Sequence, residues 1–142
     1  MMTYQVAYSS QATEPMTAAG LEQILRDARA GNQARKVTGA LIYVEGVFLQ
    51  ILEGDRDVVR ALMANIARDS RHGSVKTFYE AEVEAPTFGT WSMAYLSPTL
   101  EEMSNWTGLA GTATVETLLQ EVGRDARRFP QILANILRTL AT

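Results

Sequence analysis

The first element shows itself as alternation. "TYQVAYSS" (3–10) alternates apolar and polar positions and ends in small polar residues, the pattern of a strand running into a loop. After Pro15 the period changes. In "TAAGLEQILRDARAGN", Leu21, Ile24, Leu25 and Ala28 recur at helical spacing, with Thr17 placed as an N-cap. "KVTGALIYVEGVFLQILEG" (36–54) predicts two strands joined by a turn at Glu45-Gly46. "DRDVVRALMANIARDSRHG" (55–73) predicts a second helix with Asp55 as N-cap and Gly73 as terminator; Val58, Val59, Leu62, Met63 and Ile66 form its inner stripe. "SVKTFYEAEVE" reads as a fourth strand and "TWSMAYL" (90–96) as a fifth.

The order β-α-β-β-α-β, plus one further strand, is the ferredoxin-like arrangement. It is an α+β fold with an antiparallel-rich sheet and two helices on one face. From Ser97 the pattern turns helical. "SPTLEEMSNW" predicts a short helix, and Gly108 and Gly111 punctuate the chain after it. Val115, Leu118, Leu119 and Val122 make one stripe; Ile132, Leu133, Ile136, Leu137 and Leu140 make a second after Pro130, which suits a first helical turn. These C-terminal helices are expected to cover the sheet's other face, any surplus apolar stripe making a subunit contact.

Composition narrows the function classes. The 142 residues are 46% hydrophobic and 20% charged, enough for one domain with one core. A net charge of −3 argues against a nucleic-acid partner. Without cysteine there are no disulfides, thiolate metal sites or cysteine nucleophiles. His72 is the single histidine, which removes multi-histidine metal sites unless a second subunit contributes. No stretch is long enough to span a membrane and no signal pattern opens the chain, so a cytoplasmic single-domain protein is expected.

Four places resist a plain core. Gln50 interrupts the apolar run "GVFLQILEG" (46–54), where both strand faces look buried. A buried carboxamide costs a few kcal/mol unless its donors and acceptor are satisfied. Its plain reading is a structural amide bonded to backbone. Tyr8 shares a strand face with Tyr4 and Val6, and in a ferredoxin-like sheet it would stand beside Gln50; its plain reading is a core tyrosine. Asn32 extends the buried stripe beyond Ala28, and reads equally as a helix C-cap behind Gly31. In "NIARDSRH", Asn65 adjoins the stripe and Asp69 follows Ile66 by three. Arg68, Arg71 and His72 put positive charge at a helix end, either complementing the dipole or clamping an anion. Together Tyr8, Asn32, Gln50 and Asn65 would face a layer walled by Ile24 and Ile66. A planar, hydrogen-bonding heterocycle with an anionic tail toward Arg71 and His72 would satisfy them.

These residues resemble the BLUF domains, photoreceptors that sense blue light with FAD. The matching pieces are "YSS" (8–10), "GNQARKVTGALIY" (31–43), "GVFLQILEG" (46–54), "IARDSRH" (66–72) and "WSMAY" (91–95), in the family's order. The helical remainder resembles the short, stand-alone class. The resemblance implies a photosensor domain over 1–96 and a helical extension over 97–142 for output or oligomerisation. It implies FAD as cofactor, no turnover of substrate, a homo-oligomer and a separate signalling protein as partner.

Residue by residue, the resemblance makes Tyr8 the donor of an electron and a proton to excited flavin. Gln50 becomes the amide that rearranges between Tyr8 and the ring. Asn32 matches the asparagine on the ring's carbonyl and imide edge, and Ile24 and Ile66 the residues that sandwich the ring. Asn65 falls where a polar side chain faces the ring, and Asp69, Arg71 and His72 complete the cofactor-binding set. Trp91 and Met93 match the pair that relays the change outward. Gly31 stands where many members carry a second asparagine, so one ring hydrogen bond is lost or passes to Asn65 or water. Ala28 replaces a frequent serine, and "EAPTFGTW" lacks a common arginine. The readings from other classes are a ferredoxin-like regulatory domain for another small ligand, a pure oligomerisation module, and an acylphosphatase-like hydrolase using Arg35 and Asn32.

Overall fold

The computed structural model describes residues 2–13, 17–69, 72–89, 93–96, 99, 101–102 and 126–141, the side chains of 72 and 138–141 excepted. The elements are β1 (Thr3–Ala12), α1 (Ala18–Arg35), β2 (Thr38–Val44), β3 (Val47–Gly54), α2 (Arg56–Arg68), β4 (His72–Val83), β5 (Ala94–Leu96) and α3 (Phe129–Ala141). The strands form one five-stranded sheet in the order β4-β1-β3-β2-β5. All neighbouring pairs are antiparallel except β2 with β5. This is the ferredoxin-like arrangement that the element order predicts.

Local chemistry explains most boundaries. Thr17 caps α1, its Oγ1 accepting from the Gly20 amide at 3.0 Å. Asp55 caps α2, accepting from the amides of Asp57 and Val58. Glu45 and Gly46 both have positive φ (49° and 79°), the conformation a two-residue hairpin turn needs to match the strands' twist. Beyond the sheet, Thr99 and Glu102 cap each other reciprocally: the Glu102 amide donates to Thr99 Oγ1 and the Thr99 amide to Glu102 Oε1.

Three boundaries differ from the sequence pattern. α1 continues past Asn32 to Arg35, and Lys36 takes the left-handed C-cap conformation with φ 58°. Asn32 is therefore not the C-cap; only its backbone carbonyl takes part, accepting from Val37 N at 2.9 Å. α2 stops at Arg68 with Asp69 as C-cap, so Gly73 is no terminator, and His72 begins β4 rather than ending a helix. Extended pairing with β1, Ala12 opposite His72 and Gln11 opposite Gly73, claims these residues. β5 begins only at Ala94; positions 90–92 of the expected fifth strand, Trp91 among them, lie outside the described residues. So does the stripe Val115–Val122.

The sheet is covered on both faces, which is why β3 reads as a nearly unbroken apolar run. On one face Tyr4, Val6, Tyr8, Leu41, Phe48 and Leu52 pack with Ile24 and Leu25 of α1 and Val59 of α2. On the other, Ala7, Ile42, Leu49 and Ile51 pack with Phe88 and with Phe129, Leu133, Ala134 and Leu137 of α3. The last helix thus covers the sheet's second face, as its stripe predicts. Where β2 crosses β3 there is no room for a side chain: a Cβ on Gly39 would stand 2.1 Å from the Ile51 carbonyl oxygen.

One buried carboxylate holds this second face together. Glu53, 0% exposed, accepts from Gln5 Nε2 at 2.9 Å, Thr38 Oγ1 at 2.8 Å, and the backbone amides of Thr87 and Phe88. It ties β1 and β2 to the loop that leads from β4 toward β5. Four donors are enough to hold a carboxylate away from water.

Candidate functional site

The register of the central strands brings the two anomalous residues together. β1 and β3 pair with Tyr8 directly opposite Gln50, both on the face beneath α1 and α2. The pairing of β1 with β4 slips between Ala7 and Tyr8, a local irregularity beside the phenol of the kind that re-aims a side chain. Tyr8, 0% exposed, donates its hydroxyl proton to Gln50 Oε1. The other end of the amide, Nε2, points at Met93 Sδ, 3.5 Å away. A thioether is a weak acceptor, so this donor is barely used.

Burial, and second the negative charge of Asp69, push the Tyr8 pKa upward from its ordinary 10.0. The phenol therefore stays protonated throughout the ordinary pH range. Met93 in turn is fixed from above: Arg29 Nε of α1 donates to the Met93 carbonyl at 3.0 Å.

Over Gln50 lies a cavity of about 330 Å³ between the sheet and the two helices. Ile24 of α1 and Ile66 of α2 line it, with Leu41 and Leu52 from the sheet. Asn32, 2% exposed, and Gln50 supply amides deep in the cleft, while Asn65 and Asp69 stand toward the end of α2. Asn32 is turned into the cavity because the helix continues beneath it; a C-cap role would have turned it out. Asn65 is tied sideways, its Oδ1 accepting from Arg68 Nη2 at 3.0 Å.

Of the expected site residues, the structure brings together Tyr8, Ile24, Asn32, Gln50, Asn65, Ile66, Asp69 and Met93. Arg71 and Trp91 fall outside the described residues, as does the His72 side chain, and the expected anion clamp lies with them. Three residues that sequence reasoning did not single out for this cleft belong to it. Asp27 and Arg35 line it, and Arg29 holds Met93. The stripe Ile24-Ala28-Asn32, extended by one more step, would have found Arg35.

The donor set fits a flavin. An isoalloxazine is flat, apolar over its faces and carbonyl-bearing along one edge. The cleft is lined by two isoleucines and two inward amides, one with its Nε2 donor held only by a thioether. Among the described residues no cluster of acidic or histidine side chains could hold a metal ion, and no helix is long and apolar enough to cross a membrane.

Comparison with known proteins agrees with this geometry. The chain is 37% identical over 99 residues to the photoactivated adenylate cyclase subunit beta of Euglena gracilis, covering 69% of this chain and 11% of that protein. It is 38% identical over 85 residues to the alpha subunit, covering 60% and 8%. The chain thus spans about a tenth of the length of these curated relatives. Among solved structures, the dark state of the BLUF protein BlrB superposes with a TM-score of 0.76 at 24% identity, covering 94% of this chain and 96% of that one, a likeness of fold. The ground state of BlsA gives 0.73 at 26% identity, covering 91% and 88%. Residues 3–94 match the family described as BLUF, sensors of blue-light using FAD, and the chain belongs to that family.

Proposed function

We propose that this blue-light sensor switches through the Tyr8–Gln50 pair and signals to a protein partner by way of Met93, β5 and the C-terminal helices, turning over no substrate. The observation that carries the reading is the asymmetric bonding of Gln50: Oε1 takes the Tyr8 proton donor, whereas Nε2 rests on a thioether. Ile24, Asn32, Gln50, Asn65 and Ile66 would hold the ring, with Asp69, Arg71 and His72 toward the tail.

Bound FAD supplies blue absorption and, once excited, an electron acceptor. Tyr8 enters the dark state protonated, with its O–H aimed at Gln50 Oε1. A phenol that loses an electron becomes a strong acid, and Oε1 is the acceptor its proton faces. The amide has one donor end and one acceptor end, so rotation about its last torsion exchanges them. A weak Nε2–Sδ contact opposes that rotation little. Each exchanged hydrogen bond is worth on the order of 1 kcal/mol, enough to bias a two-state element but not to drive a large transition alone.

The outlet begins at Met93, which touches Gln50 and directly precedes β5. Ala94 pairs with Ala40 of β2 and packs in the same cluster as Phe129 and Leu133 of α3. A photosensor domain over 1–96 and an output or oligomerising extension over 97–142 are the division this route supports. A cytoplasmic homo-oligomer acting on a separate protein completes the reading.

The test is a visible spectrum of purified protein before and after blue illumination, followed through dark recovery. A flavin spectrum that shifts slightly to the red and returns supports the switch. A flavin that only bleaches rejects the Tyr8–Gln50 mechanism while leaving the cofactor in place.

A further inference from the structure

Arg35 is the last residue of α1 and lines the cleft with Asn32. At 3.6 residues per turn, position 35 returns to within ~20° of Ile24 around the helix, so Arg35 continues the stripe of Ile24, Ala28 and Asn32 out to the solvent-exposed rim of the cleft. Helical side chains lean toward the N-terminus of their helix, which brings the Arg35 head back over the preceding turn. That turn is bare. A Cβ on Gly31 would stand 2.6 Å from Arg35 Nη1 and 3.8 Å from Cζ, so the guanidinium fills the space a side chain at 31 would take.

Two further observations direct this group at a ligand. Among the described residues no carboxylate pairs with Arg35; the ion pairs there are Arg56–Glu82 and Arg60–Glu80. The other charged groups lining the cleft are acidic, Asp27 on α1 and Asp69 at the end of α2. α1 follows β1 and α2 follows β3, and these strands are antiparallel, so Arg35 and Asp69 mark opposite ends of the cleft. At the Arg35 end the neighbouring polar group is the buried Asn32 amide, which suits a carbonyl-bearing ring edge. A guanidinium offers five donors in a planar fork and complements such an edge.

We propose that Arg35, resting on the bare backbone of Gly31, is a flavin-binding residue that donates to the carbonyl edge of the isoalloxazine beside Asn32. The proposal rests on the FAD-sensor reading. Gly31 is then part of the site by lacking a side chain: it gives the guanidinium its seat.

The experiment is fluorescence titration of apoprotein with riboflavin, FMN and FAD, using wild type, Arg35→Ala, Arg35→Lys, Gly31→Ala and the Gly31→Ala/Arg35→Ala double variant. Removing a charged donor is expected to weaken all three flavins by a similar factor, about tenfold, and to shift the bound visible band to the blue. Lysine should restore part of the affinity. Alanine is the better helix former, so Gly31→Ala should keep the fold while pushing the guanidinium off its seat. It should cost as much affinity as Arg35→Ala, and the double variant no more than either. A loss confined to FMN and FAD, with riboflavin unchanged, would assign Arg35 to the phosphate and overturn the proposal. Unchanged binding of all three in Arg35→Ala would overturn it as well. A wild type that binds no flavin would instead remove the sensor reading beneath it.

Discussion

Tyr8 and Gln50 are direct partners across the β1–β3 ladder, and the tyrosine hydroxyl donates to the glutamine carbonyl. The register makes this pair. A slip of one residue would turn one partner to the α3 face and separate them. Because the ladder fixes their approach, the amide's orientation is decided by which of its ends faces the phenol.

Replacing the amide tests that dependence. Gln50→Leu keeps the apolar bulk of the cleft floor and is expected to retain bound FAD while abolishing the light-induced red shift. The variant removes the Gln50 acceptor from the buried Tyr8 hydroxyl, so a stability loss of about 1–3 kcal/mol is expected by denaturant titration. A variant with an undiminished light-minus-dark difference spectrum would eliminate Gln50 as the switch.

Tyr8 should also be visible in the pH dependence of stability. Burial raises its folded pKa above the ordinary 10.0, with Asp69 adding to the shift. The folded state therefore prefers the neutral phenol more than the unfolded chain does. That contribution is fully present below pH ~10 and is lost as pH rises above it. Wild-type stability is expected to fall between about pH 10 and 11.5 more steeply than that of Tyr8→Phe. Tyr4 and Tyr79, also raised by burial, contribute to both proteins and cancel in the difference. Equal slopes would show that Tyr8 is not desolvated. The same Tyr8→Phe protein should lose its light-state yield, which ultrafast spectroscopy would report.

Much of this was legible in the sequence because the signals were periodic. Alternation, helical stripes, Thr17, Asp55 and the Glu45-Gly46 turn gave the element order, and Gln50 betrayed itself as the wrong residue in an apolar strand. Glu53 carried the same signal three residues later, at the strand's end, where a charge is commonplace; only the tertiary fold supplies its four donors. The helix ends were misread where long-range pairing outweighs local propensity. Gly73 is a good terminator, yet β1 recruits it into β4. Asn32 reads equally as a C-cap and as an inward amide; α1 runs on to Arg35 and ends at the left-handed Lys36, which leaves the inward reading. Arg35 lies one step beyond the stripe Ile24-Ala28-Asn32, past the point where the sequence pattern ended the helix, so only the longer α1 brings it to the cleft.

Met93 offers a milder perturbation of the same amide. Its Sδ lies 3.5 Å from Gln50 Nε2, and Arg29 pins its carbonyl. Met93→Leu conserves volume and accepts no hydrogen bond, so a stability change below about 1.5 kcal/mol is expected. FAD binding and the red shift should persist. Without the thioether the dark orientation of the amide is less favoured, and dark recovery is expected to slow by a factor of about 2 to 5, the kinetic equivalent of a weak hydrogen bond. An unchanged recovery constant would show that the thioether does not hold the amide.

Glu53 is the residue through which the α3 face feels the sheet. Its carboxylate is fully buried and takes donors from Gln5, Thr38, Thr87 and Phe88. Gln5 extends the set by donating to Thr87 Oγ1 at 2.8 Å and accepting from the Tyr79 hydroxyl at 3.0 Å. Glu53→Ala strands several buried donors at once, and a loss of about 3 kcal/mol or more is expected. Glu53→Gln keeps the shape but turns one acceptor into a donor facing other donors, so an intermediate loss is expected. Hydrogen exchange distinguishes a local anchor from a general prop. If Glu53 anchors the loop before β5, the amides of Thr87 and Phe88 should lose protection in Glu53→Gln well before those of the β1–β3 ladder. Uniform loss across both would mean that the carboxylate supports the sheet as a whole and has no special hold on the path from Gln50 to α3.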